Sequence, residues 1–202
     1  MLFSKKLLAT FVIIAVISFL GFLTENIWLV IKKGYIDNRN MYFPFLLGYG
    51  LAVIVLYNLW GMPQNPTFFG KELIYRSSIT NTIYYMLMVA LCISIGELLL
   101  GNLVEKICKI QWWDYSQLPL HIGKYTTIPT SLGFALLITL FMRFCFSQLL
   151  NYFMSWNYNV LFLTAISLML LMLGDFFYSA HLMFRNKKLI QRWCIVTAVK
   201  GF

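Results

Sequence analysis

Five apolar runs, at about 7–31, 42–61, 80–104, 128–150 and 158–184, take up most of this 202-residue chain. A run of roughly 20 apolar residues is what a helix needs to cross the hydrocarbon core of a bilayer. Inside lipid only a helix or a closed barrel satisfies its own backbone, so such runs leave little choice of fold. Composition agrees, with 60% hydrophobic and 11% charged residues, far less charge than a soluble surface carries. The reading is an all-α integral membrane protein, a bundle of five transmembrane helices. It forms a single domain over 1–202, with connectors too short for a separate soluble domain. At the start, Lys5-Lys6 precede an apolar run that continues across Glu25 to Val30 with no small-x-small site. We therefore expect an uncleaved first helix rather than a signal peptide.

The net charge of +9 raises the question of nucleic acid. The cations flank helices instead of forming one basic face, which is the pattern of orientation signals and lipid headgroup contacts. With five crossings, one side collects eleven: Lys32, Lys33, Arg39, Lys106, Lys109, Lys124, Arg185, Lys187, Lys188, Arg192 and Lys200. The other side has four, namely Lys5, Lys6, Lys71 and Arg76. The excess predicts a cytoplasmic C-terminus and an outer N-terminus in a plasma membrane. The four cysteines, Cys92, Cys108, Cys145 and Cys194, form no CxxC pair, and no metal site or cofactor is evident.

Acids inside apolar runs are costly and functional by default. Glu25, Glu97 and Asp175 are three of them. Counted to the expected helix ends, all lie roughly 10–14 Å below the eleven-cation side. Glu25 shares a helix face with Gly21 and Trp28; Glu97 shares one with Ser94 and Gly101. The plain alternative for both acids is pairing with Arg39 or backbone groups that fixes the bundle. For Asp175, Tyr178 and Ser179 at i+3 and i+4 offer local partners. Arg143 lies toward the opposite face, in a stripe with Thr139 and Ser147, and is expected to snorkel. The connector Trp112-Trp113-Asp114-Tyr115-Ser116 reads as an aromatic belt, which leaves Asp114 unexplained. His121 is either a proton-responsive group or an ordinary connector histidine. GxxxxGK[ST], GxSxG and HExxH are all absent, so ATPase, serine hydrolase and zinc protease readings have no support.

The ordered series Glu25, Trp28, Asn38-Arg39, Tyr49-Gly50, Glu97, Gly101, Trp113-Asp114-Tyr115-Ser116, Pro119, Gly123-Lys124 and Ser131-Leu132-Gly133 resembles the Putative ABC-transporter type IV (CmpB-like permease) family of small bacterial membrane proteins. The resemblance covers about 20–140. It departs at Asn40-Met41, His121, Lys124 and Leu132, where the family pattern has Gly-Phe, Asn, Arg and Trp. It implies a permease-like protein binding or translocating a small polar or charged solute through a cleft on the cytoplasmic half. Glu25, Arg39, Glu97 and Asp114 would line that cleft. Trp28, Asn38, Tyr49, Trp113, Tyr115, Ser116, His121, Lys124 and Asp175 would support it. A separate ATPase or other membrane subunit is the implied partner, besides the bilayer and a second copy of the chain. Two other readings stay open: a membrane-embedded enzyme acting on a lipid or isoprenoid headgroup, and a non-catalytic regulatory subunit.

Overall fold

The computed structural model of the chain describes residues 3–73 and 77–197. Arg76 and Lys200, two of the cations counted toward orientation, lie outside the described residues. The helices are α1 (Lys5–Lys33), α2 (Leu47–Trp60), α3 (Ser78–Cys108), α4 (Ile128–Phe141), α5 (Ser147–Ser155) and α6 (Tyr158–Asn186), with a π-helical turn, Met142–Phe146, joining α4 to α5. Short strands occupy the connectors: β1 (Tyr35–Asp37), β2 (Gly61–Met62), β3 (Asn65–Phe68), β4 (Lys71–Glu72), β5 (His121–Ile122), β6 (Thr126–Thr127) and β7 (Cys194–Val196).

Local sequence sets the helix ends. The Ser4 hydroxyl accepts from Leu7 N at the start of α1, and Gly34, at φ 71°, closes it by donating to the Leu29 and Val30 carbonyls. Ser77, Thr127 and Asn157 cap α3, α4 and α6 in the same way, each satisfying an orphan N–H of a first turn. Among the described residues, four stretches are long and apolar enough to cross a membrane: Lys5–Lys33, Ser78–Cys108, Ile128–Ser155 and Tyr158–Asn186. The chain is a helical membrane protein.

The second expected crossing, 42–61, differs. Its helix is only Leu47–Trp60, 14 residues and so about 21 Å long, short of a hydrocarbon core of about 30 Å. Residues 42–46 are not helical. Pro44 has no N–H and keeps Phe43 out of the helical region, and the Tyr42 and Phe43 amides donate to the Asp175 carboxylate instead of to a helix. The apolar run was legible, but its unwound entry depends on a residue far along the chain.

Contacts divide the chain into two compact units, Met1–Val53 with Leu150–Phe202, and Ile54–Leu149. In the first, α1 and α6 run parallel. At one end Lys5 Nζ donates to the Met154 and Trp156 carbonyls at 3.2 and 2.8 Å. At the other, β1 pairs antiparallel with β7, Tyr35 opposite Val196 and Asp37 opposite Cys194. The start of α2 crosses α1 closely: a Cβ on Gly50 would collide with the Ile14 carbonyl and the Ser18 side chain, and one on Gly21 with the Tyr49 ring.

In the second unit α3 and α4 are antiparallel. Ser94 meets Ser131 at 2.9 Å, and Arg143 beyond α4 reaches Thr82 and Ser78 near the start of α3. The two helices pack together; Asn81, Tyr85, Val89, Ala90 and Gly101 are buried on α3, and Ser131, Ala135 and Thr139 on α4. From Ile79 to Ile107 every fourth residue is an exposed leucine or isoleucine, the row such a helix turns to lipid. Arg143 thus ends near the first turn of α3, in keeping with its expected direction.

Candidate functional site

Glu25 is the centre of the polar cluster in the first unit. Its Oε2 accepts from Arg39 Nη2 at 2.9 Å, and its Oε1 accepts from the Tyr49 hydroxyl. The Glu25 and Arg39 side chains are 17% and 22% exposed, so the pair is largely withdrawn from solvent. Eight residues separate Glu25 from the end of α1 at Lys33, a depth of about 12 Å. The Tyr49-Gly50 pair now has a mechanical sense. Gly50 lets α2 press on α1, and Gly21 makes room for the Tyr49 ring on its way to Glu25.

Arg39 is delivered by an unusual turn. Arg39 and Asn40 both have left-handed backbones, φ 48° and 67°, a conformation that asparagine tolerates better than most residues. Asp37 Oδ1 accepts from Arg39 N at 2.8 Å, and Asp37 N donates to Asn26 Oδ1 at 2.8 Å, so α1 holds the base of the turn. Asn38, 2% exposed, donates to the Met41 and Ile190 carbonyls and accepts from Arg192 N. Asn40 accepts from Ile190 N. The two asparagines therefore tie the turn to the C-terminal tail, and Asn38 acts through structure. Trp28 stands apart from the pair: it is exposed, and the Lys32 ammonium sits 5.3 Å over its ring.

Asp175 is 7% exposed. It accepts from Tyr42 N, from Phe43 N at 2.9 Å and from the Ser179 hydroxyl at 3.1 Å. Of the two local partners foreseen, Ser179 bonds it, while Tyr178 packs at a tilt against Tyr42 with ring centroids 5.4 Å apart. Asp175 and Glu97 each lie eleven residues before the end of their helix, at Asn186 and Cys108. That is about 16 Å, deeper than the sequence placed them because both helices run on further.

In the second unit, a chain of hydroxyls runs beside Glu97. Ser94 Oγ lies 3.0 Å from the Ala90 carbonyl, to which it donates, and 2.9 Å from Ser131 Oγ, which is 2.9 Å from Thr126 Oγ1. Glu97 follows Ser94 by one turn on α3, and its Oε2 is shielded from solvent.

The connector motif lies eight residues, about 12 Å, further along α3, around a residue the sequence reading passed over. Glu105 accepts from the Tyr125 hydroxyl at 2.6 Å and from Lys124 Nζ at 3.1 Å. Tyr125 is 2% exposed and lies against Gly101. Its carbonyl accepts from Trp113 Nε1 at 2.8 Å, and the neighbouring Lys124 carbonyl accepts from Tyr115 N at 2.7 Å. Burial, reinforced by the Glu105 carboxylate, pushes the Tyr125 hydroxyl up to about 12. Asp114 is exposed; its carboxylate accepts from Ser116 N at 2.8 Å, and that bond, followed by the Ser116 hydroxyl, holds it below the usual carboxylate range. His121 is exposed, with Nδ1 3.1 Å from the Leu118 carbonyl. Trp113, Tyr115, Ser116 and Lys124 thus build and anchor a loop, and Asp114 closes its own turn there. Glu105 was detectable: it continues the row Glu97, Gly101 at four-residue spacing.

The structure joins Glu25, Arg39 and Tyr49 in one cluster, and Trp113, Lys124, Tyr125 and Glu105 in another. No curated protein and no solved structure matches the chain. The family model described as "Putative ABC-transporter type IV" matches residues 12–180, a span that includes both clusters, and the chain belongs to that family.

Proposed function

We propose that this protein is a permease-like membrane component, and that the Glu25–Arg39 pair takes part in binding or passing a small polar or charged solute. The observation that carries this is the pair itself, an acid and a base largely shielded from solvent at membrane depth, within the family-matched span. A charged solute can take the place of either partner there, and a polar one can bridge the two, without exposing an isolated ion, which is the costly alternative. Within the second unit, Glu97, one turn beyond Ser94, and Asp114 are carried as further candidate solute-contacting residues. ATP-driven movement would require a separate ATPase chain.

The helix directions support five crossings in one membrane domain. Because α1 and α6 are parallel while α3 and the α4–α5 rod are antiparallel, an odd number of crossings separates α1 from α6. If each long helix crosses once, the segment that contains α2 makes the remaining one. Counting cations then favours an outer N-terminus and a cytoplasmic C-terminus in a bacterial plasma membrane.

One observation favours a second reading. Both oxygens of Glu25 are already engaged, as they would be in a purely structural clamp. The test compares the small-molecule contents of cells lacking the protein with those of cells restored by wild type, Glu25→Gln or Glu97→Gln, each checked for equal membrane abundance. The permease reading expects wild type to correct the differences and both variants to fail. Full correction by both variants would overturn it in favour of the clamp.

A further inference from the structure

Residues 42–46 have the apolar character of a helix, yet they are held open by bonds from elsewhere. Tyr42 N and Phe43 N, two consecutive amides, converge on the Asp175 carboxylate. Leu46 N donates to the Ser18 carbonyl of α1 at 3.0 Å, and the Tyr42 ring meets a tilted Tyr178 ring and carries the Arg192 guanidinium over its face. Non-helical backbone at membrane depth survives only where protein supplies partners for its polar groups. Asp175, 7% exposed, supplies two of them, and Ser179 fixes its direction.

We propose that Asp175 is a clasp that holds the entry of α2 unwound, and that its release lets α2 lengthen toward Pro44. Proline at a first helical position is well tolerated because its missing N–H is an orphan there anyway. A helix from residue 44 to Trp60 has 17 residues, about 26 Å, which reaches the lower end of the membrane-spanning range. Clasped, α2 starts only at Leu47. Tyr49 lies on its first turn and holds Glu25, so the clasp also sets the geometry of the Glu25–Arg39 cluster. Asp175 is in this sense a positioning residue, and the clasp holds whether or not a solute uses the cluster.

Amide hydrogen exchange on the purified full chain in detergent, with no solute added, tests this. In Asp175→Asn one amide acceptor becomes a donor. The Tyr42 and Phe43 amides should then exchange about tenfold faster or more, as expected for loss of a hydrogen bond to a charged group. Leu47 and Gly48, which gain carbonyl partners when the helix lengthens, should exchange more slowly. The interiors of α1 and α6 should stay protected. Ser179→Ala, which leaves both amide bonds in place, should change the Tyr42 and Phe43 amides much less. The proposal is overturned if Asp175→Asn leaves residues 42 and 43 protected, if Leu47 and Gly48 do not slow, or if protection falls uniformly through α1 and α6. Because no solute enters the measurement, its failure is separable from failure of the permease reading.

Discussion

Gly101 and Gly96 lie five residues apart on α3, and alanine at the two positions should move stability in opposite directions. At Gly96 an added Cβ meets nothing within 4 Å, so Gly96→Ala should be neutral or stabilising by up to about 1 kcal/mol through backbone entropy alone. At Gly101 the same Cβ would fall inside the Tyr125 ring. That ring is 2% exposed, its hydroxyl is bound to Glu105 and its carbonyl to Trp113, so it has no easy retreat. Overpacking of this kind costs about 1–3 kcal/mol, and the fixed ring places Gly101→Ala in the upper half of that range. Denaturant unfolding in detergent micelles followed by circular dichroism reads both values. The cause can be isolated in a Tyr125→Ala background, where the ring is gone and the Gly101→Ala penalty should vanish. A penalty that persists there, or equal effects at positions 96 and 101, would refute the claim that Gly101 exists to seat Tyr125.

Other consequences are equally measurable. Because the Glu25–Arg39 pair is mostly buried, Glu25→Gln or Arg39→Ala should each destabilise by about 2–3 kcal/mol, with the double variant costing clearly less than the sum; strict additivity would mean that the pair does not interact in the membrane. Phenolate absorbance, taken as wild type minus Tyr125→Phe, should titrate near 12. Glu105→Gln should bring that midpoint down while burial keeps it above the ordinary 10.0. Since the folded value is the raised one, this group's contribution to stability is intact below pH 10 and is lost as pH rises through about 12. Asp114 behaves oppositely: its lowered value makes its contribution complete above the usual carboxylate range and lost on acidification. A melting profile of Asp114→Asn parallel to wild type on the acid side would contradict that.

Much of the candidate site was legible in advance, but unevenly. The Glu25–Arg39 partnership followed from one acid in α1 and one arginine in the next connector. The connector motif was also recognised, yet its meaning changed: Lys124 is engaged by Glu105, and Asp114 caps a turn. Glu105 was passed over because an acid three residues before the end of a helix looks like an ordinary surface charge. Its importance comes from Tyr125, twenty residues away, folding back over Gly101. Trp28 sits at the right spacing to face Glu25, but spacing cannot say which side of a helix the protein covers.

Hydropathy and helix caps are local properties, so sequence alone determined that this chain enters a membrane, where its long helices run and which of them carry acids. In lipid a helix satisfies its own backbone, and no distant residue has to be known for it to form. The tertiary structure decided everything that involves a broken backbone or a shared proton. Residues 42–46 are as apolar as the helix they precede, yet their amides are taken up by Asp175 of α6 and the Ser18 carbonyl of α1, partners that no local pattern names. Arg39 could be foreseen as a partner of Glu25, but the two left-handed residues that deliver it and the crossing of α2 over α1 that adds Tyr49 came only from the tertiary structure.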